Sequence, residues 1–277
     1  MEFTKKYFKK LWKIIKKPEM KILPGNIAFF LVLSIFPIVT LCGYLATFFN
    51  VSIDSVVNLI SDILPNEVSS ILIPYITGSG MDIHVGFSIL LGYIVASNGA
   101  HSIIISCNTL YGLEHSSYFK RRIKSLYITI LLLLLFIFSL VVLAFGNNIL
   151  QFILSFGGID INIYYLYLVV KWPIAIIVTF IMIKSIFTMA PDSYIKSRIT
   201  NKGAFFTCIA WLISTFIYSY YVQHFSHYDI FYGSLSNIII MMMWIYLLSY
   251  SLVIGIAINV QNYRNYENNS KDIVDNK

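Results

Sequence analysis

"KRRIKSLYITILLLLLFIFSLVVLAFGN" occupies residues 120–147. Four of its first five residues are basic, and from Ser125 to Asn147 there is no Asp, Glu, Lys or Arg. A helix of that length crosses a hydrocarbon core of about 30 Å. The apolar residues are continuous rather than alternating, which excludes a barrel strand. Bases directly before a span mark its cytoplasmic side. This one stretch therefore predicts both a transmembrane helix and its direction.

Working outward, five more runs of the same kind can be drawn. The expected spans are about 26–49, 84–108, 125–147, 162–189, 204–224 and 235–259. The expected fold class is all-α, a polytopic bundle of six membrane helices. Composition agrees: 58% of the 277 residues are hydrophobic and 12% are charged, and the mean hydropathy is +0.75. A soluble domain carries about 25% charged residues.

The distribution of Lys and Arg tests the count. Eight lysines, Lys5 to Lys21, precede the first span. Lys120, Arg121, Arg122 and Lys124 lie between spans two and three; Lys184, Lys196, Arg198 and Lys202 lie at or after the end of span four. Arg264, Lys271 and Lys277 follow span six. The intervening loops hold no base, only Asp54, Asp62, Glu67, Asp82, Asp160 and Asp229. Such alternation places both termini in the cytoplasm. The net charge of +7 is then a topology signal and does not call for nucleic acid.

The chain divides into a basic amphipathic helix over 1–24, the membrane bundle over 25–262 and a polar tail over 263–277 that reads as disordered. In the first part Phe8, Leu11, Trp12 and Ile15 form one stripe with lysines opposite. That pattern suits a helix lying on the anionic inner leaflet, with membrane lipids as partner through Lys5–Lys21. Between spans one and two, Ile53, Val56, Val57 and Ile60, then Val68, Ile71, Leu72 and Tyr75, read as two short amphipathic outer helices split by Pro65. They either cap a cavity or rest on the lipid surface.

Polar groups inside a span are expensive and point to a role. Asn98, His101 and Ser102 share one face of span two, beside the small Gly99 and Ala100. Two readings stand: helix–helix glue, or a polar strip lining a substrate path. Lys171 is the lone base in the interior of a span, away from the basic flanks, and either snorkels outward or faces a cavity. Pro37 and Pro173 are candidate kinks. His224, His227 and Asp229 have metal-ligand chemistry, but lack the further ligands of a zinc site and read as interfacial.

Cys42, Cys107 and Cys208 are far apart and read as small buried hydrophobes. The N-terminus has no signal-peptide pattern. No phosphate loop, nucleophile elbow or paired carboxylates within one span is present, so neither catalysis nor a cofactor is expected. The acids sit in loops and read as solvated.

Four stretches carry a family likeness: "AFFLVLSIFPI" (28–38), "ASNGAHSIIISCNTLYG" (96–112), "PDSYIKSRITNKGAFFTCIAWLI" (191–213) and "YDIFYGSLSNIIIMMMWIYLLSYSLVIGIAIN" (228–259). Over roughly residues 10–262 the chain resembles the YihY/BrkB family of bacterial inner-membrane proteins, also labelled "ribonuclease BN-like". The resemblance implies six spans with both termini inside. Its marks include Tyr232, Gly233 and Ser234 at the entry to span six, and Asn259 near that span's end. The leading expectation is a bacterial plasma-membrane protein of the envelope that binds or moves a lipid-like substrate. The alternative is a structural or interaction protein without substrate. A ribonuclease comes last, because the bases here are membrane flanks rather than a groove beside a metal cluster.

Overall fold

The computed structural model describes residues 2–48, 83–114, 116–135, 163–224 and 235–275, with single positions between 54 and 73 and at 138. These residues form α1 (Glu2–Ile15), α2 (Glu19–Phe48), α3 (Ile83–Tyr111), α4 (118–135), α5 (Ile163–Met189), α6 (Asn201–His224) and α7 (Leu235–Asp275). No strand occurs among the described residues.

Each expected span falls on a helix, although the latter part of 125–147 and the outer helices around Pro65 lie outside the described residues, apart from single positions. Three stretches are long and apolar enough to cross a membrane: Leu90–Tyr111, Asn201–Tyr221 and Ile238–Glu267. A fourth is gained if Lys9–Ile15 and Glu19–Ile35, bent by 58°, count as one broken span. The break sits at Pro18, which has no N–H to continue α1. It is resealed by Lys17 N–H to Ile14 O (3.1 Å) and Met20 N–H to Lys17 O (3.1 Å). Pro173 lies inside α5 and Pro37 within α2, while Pro173–Met189 is a shorter apolar stretch.

One expectation is refined and one corrected. First, on α1 the helix α7 is a neighbour and Leu11 and Ile14 are buried, while Trp12 is 58% exposed. At 100° per residue, a helix that buries positions 11 and 14 turns position 12 away. The side chain of Phe8 lies outside the described residues. Second, the segment expected to be a disordered tail is helical to Asp275. A polar sequence alone rarely pays for nucleation, but here the preceding span has already nucleated the helix. Gln261 Nε2 donating to Asn265 Oδ1 (3.0 Å) supports the extension. At 1.5 Å per residue the 41 residues of α7 measure about 60 Å, twice a hydrocarbon core.

One apolar core joins the helices. It takes Met20 and Ile27 from α2, Ile103 and Ile104 from α3, Ile128 from α4, Ile183 and Phe187 from α5, Ala204 from α6, and Val253 and Val260 from α7. Met20, Ile128, Ile183, Phe187, Ala204 and Val260 lie within four residues of a Lys or Arg, so the core reaches the basic-flanked end. Close approach there depends on small residues. Gly99 of α3 meets α2, where Ser34 Oγ donates to Ala96 O (3.0 Å) and Phe30 O (2.6 Å). At the crossing of α6 and α7, a Cβ on Gly203 would overlap Gly255 O and the Asn259 side chain, and one on Gly255 would overlap Thr207 Oγ1.

Candidate functional site

The polar face anticipated on α3 is engaged mainly by its neighbour. Asn98 Oδ1 accepts from Arg122 Nη1 (2.7 Å), and Arg122 Nη2 donates to Ile94 O (2.8 Å). His101 meets Tyr118 edge to face at 6.2 Å. Ser102 is buried, and its carbonyl accepts from Ser106 Oγ (2.8 Å). Asn98 and His101 thus meet the start of α4, whereas the bond of Ser102 stays within α3. The side chains of Lys171, Pro37 and His224 lie outside the described residues, as do Tyr232, Gly233, Ser234, His227 and Asp229 entirely. Pro173 is exposed.

The strongest polar constellation was not anticipated. It begins where α3 stops. Gly112 has φ +72°, and the turn is closed by Gly112 N–H to Thr109 O (3.3 Å) and Leu113 N–H to Asn108 O (2.9 Å). This is a Schellman ending, which favours glycine at the left-handed position. It reverses the chain so that Ser116 N–H points at Asp192, in the link between α5 and α6 (3.0 Å). Asn108 Nδ2 donates to the same carboxylate oxygen (2.7 Å), and Asn108 Oδ1 accepts from Asp192 N–H (2.9 Å). Lys124 Nζ donates to the other oxygen (2.6 Å) and to Pro191 O (3.0 Å). Three helix ends are tied by one side chain.

The Asp192 side chain is 6% exposed and that of Lys124 25%. The expectation that the acids are solvated is therefore wrong for Asp192. Burial pushes its carboxyl upward, but the Lys124 hydrogen bond and the Ser116 contacts outweigh it and hold the group at about 2. At neutral pH it is a carboxylate, which makes it a fixed anchor and unsuited to general acid–base work. A signal was available: Asp192 is an acid standing in a link otherwise rich in Lys and Arg.

Asn259 forms a second polar contact. Its Oδ1 accepts from Gly203 N–H in the first turn of α6 (2.9 Å), so α7 caps α6 across the crossing. Thr207 Oγ1 donates back to Gly203 O (2.9 Å). Farther along, Trp211 Nε1 donates to Leu248 O (2.9 Å), and Tyr218 stacks on Trp244 at 4.9 Å. Around that stack, Ile239, Met242, Met243, Tyr246 and Leu247 line a shallow apolar groove on the exposed face of α7. Among the described residues, no group of three His, Cys, Asp or Glu is placed to hold a metal ion.

The chain is 28% identical over 240 residues to a Bacillus subtilis (strain 168) protein named provisionally as "ribonuclease-like protein YfkH", covering 85% of this chain and 87% of that one. It is 29% identical over 91 residues to "UPF0761 membrane protein IL2447" of Idiomarina loihiensis, 33% of this chain and 32% of that one. No solved structure matches. The model of the family described as "Virulence factor BrkB" matches residues 12–275, a range that takes in α2 to α7, the Asp192 clasp and the Gly203–Asn259 crossing. Long apolar helices and that match lead to one conclusion: the chain belongs to the virulence factor BrkB family of membrane proteins.

Proposed function

We propose that this chain is a six-span bundle of the bacterial plasma membrane, with both termini cytoplasmic, that holds or moves a lipid-like amphipathic molecule. The observation that carries the reading is a shallow apolar groove on the exposed face of α7. It lies within a stretch apolar enough to span the membrane, so an acyl chain can enter it sideways without crossing a polar barrier. Met242 and Met243 give the groove adaptable walls. The Lys and Arg positions support the topology. Lys9, Lys10 and Lys13 are exposed on α1, which supports contact with anionic headgroups of the inner leaflet. No catalytic step is assigned, and the ribonuclease reading is supported only by a relative's name.

The test is lipid retention and lipid flux. Purified protein should carry envelope phospholipid detectable by mass spectrometry, and proteoliposomes should speed transbilayer movement of a fluorescent phospholipid. Met243→Trp, which covers part of the groove, should lower both several-fold without a change in Tm. If no lipid is retained and flux equals that of empty vesicles, the reading fails.

A further inference from the structure

Asp192 does more than satisfy a lysine. Its carboxylate lies in a cradle whose donors come from other parts of the chain: Asn108 Nδ2 at the end of α3, Ser116 N–H ahead of α4, and Lys124 Nζ within α4. The cradle is shaped for an oxyanion, with two donors on one oxygen and an ammonium on the other. Its occupant arrives on a non-helical link, residues 190–200, and not on a rigid element. Lys124 is a quarter exposed, so the ammonium can be approached from the aqueous side.

The position of this contact in the bundle matters. α2 packs on α3, and α6 packs on α5 and α7. α7 also touches α2, so it is the common spine of two arms. The clasp joins those arms at the basic-flanked end, α3 and α4 on one side and the α5–α6 link on the other. The junction also includes Asp192 N–H to Asn108 Oδ1 and Lys124 Nζ to Pro191 O, but all its bonds to the α5–α6 side fall on an irregular link, which can open without breaking a helix.

We infer that the Asn108–Ser116–Lys124 cradle is an oxyanion-binding site that the chain fills with its own Asp192 carboxylate, making Asp192 a latch that a phosphate or carboxylate can displace. The carboxyl is held at about 2, so the latch is not released by mild acid and needs a competing anion. A phosphate group from solution or from a lipid headgroup supplies that chemistry. The inference rests on the clasp and is independent of the groove on α7.

The chain carries its own reporter. Cys107 adjoins Asn108, is 1% exposed and lies within the field of Lys124 and Asp192. Cys208, on α6, is equally buried and serves as the internal control. In a Cys42→Ser background, thiol labelling by N-ethylmaleimide is followed by peptide mass spectrometry. Asp192→Ala should speed labelling of Cys107 by about tenfold or more and leave Cys208 unchanged. Acetate or inorganic phosphate should restore protection to this variant, and chloride at equal ionic strength should not. Asp192→Asn keeps the volume and loses the charge; its Cys107 should label faster, with little rescue because the cradle is filled.

Two arms separate the anion's source. Inorganic phosphate is added to protein in neutral detergent. In the other arm, phosphate-free nanodiscs of phosphatidylglycerol are compared with phosphatidylcholine ones. Protection in the first arm assigns a soluble anion, and protection in phosphatidylglycerol alone assigns a headgroup. If no oxyanion from either source protects Asp192→Ala, the cradle is not a site and the inference is overturned. If Cys208 speeds up in step with Cys107 in both variants, Asp192 is a general staple of the fold and the latch is overturned as well.

Discussion

Among the described residues, the helix crossings near the basic flanks and the outward face of α6 are held by different chemistry. At the crossings α6 and α7 meet backbone to backbone at Gly203 and Gly255, Gly99 meets Leu31 and Ser34 of α2, and polar side chains cap what the helices leave open. Farther along α6, large apolar side chains turn outward: Phe216 is 73% exposed, with Ile213 and Ile217 beside it. A lipid solvent explains the contrast. Apolar faces gain little by leaving hydrocarbon for one another, so cohesion must come from close packing and polar contacts. Substitutions should therefore be costly at the crossings and mild on the outward face, in proportion to the geometry they disturb.

The largest effect should come from the α6–α7 crossing. Gly203→Val drives its Cβ into Gly255 O and the Asn259 amide, neither of which is a flexible tip. We expect a loss of about 3 kcal/mol or more, or no folded protein at all, read as loss of the monodisperse peak after detergent extraction. Gly25, with open space around its Cα, is the matched control. Gly25→Ala should be neutral or stabilise by up to about 1 kcal/mol, through helix propensity. Equal damage by both would mean that close packing does not set the stability of this end.

The clasp should rank second. The Asp192 carboxyl is held at about 2, below its unfolded value of about 3.9. A depressed carboxylate contributes stability that is complete above about pH 5 and is lost as the pH falls toward 2. That contribution is worth about 2 kcal/mol. Thermal unfolding of the wild type should therefore show an acid-induced fall across this window, and Asp192→Asn should lower the Tm at neutral pH while flattening the fall. Lys124→Met should be at least as damaging, because it strands a buried carboxylate. A variant with unchanged neutral Tm and an unchanged acid limb would remove the clasp from the stability of this end.

These two sites differ in how far the sequence reveals them. Helix placement was largely legible: the expected 84–108 is met by Ile83–Tyr111 and 204–224 by Asn201–His224, because a long apolar run has few alternatives in a membrane. Close approach at Gly99 and the importance of Asn259 could also be anticipated, the first from small residues and the second from the family pattern. The partnership of Lys124 with Asp192 could not be read, since its 68-residue separation is bridged only once the bundle's topology is known. Which residues of α1 a neighbouring helix covers is hidden for a related reason. Apolar periodicity marks a stripe, but what covers it, here α7, decides where the stripe is centred. The helical continuation to Asp275 escaped because composition describes a segment by itself, whereas helix growth depends on the segment before it.

A third, smaller effect belongs between the two regions. Trp211 lies on α6 with its ring nitrogen bonded to Leu248 O at 2.9 Å. Trp211→Phe keeps most of the packing and removes one donor, whose loss costs about 1 kcal/mol. A Tm shift larger than that for Asp192→Asn would place the cohesion of the bundle farther from the basic end than the geometry indicates.

The smallest effect should be at Phe216, and it gives the comparison its sharpest edge. The ring is largely exposed, and a lipid tail replaces whatever contact it loses. Phe216→Leu should stay within about 0.5 kcal/mol of wild type in nanodiscs. Water offers that face no such replacement, so a water-soluble setting would penalise it for exposed apolar surface; the same argument predicts equal Tm values for Phe216→Leu and wild type in lipids of different headgroup charge. If Phe216→Leu instead destabilises by more than Trp211→Phe, the outer part of α6 is covered by protein and not by lipid. The contrast between the two regions would then be one of partner rather than of solvent.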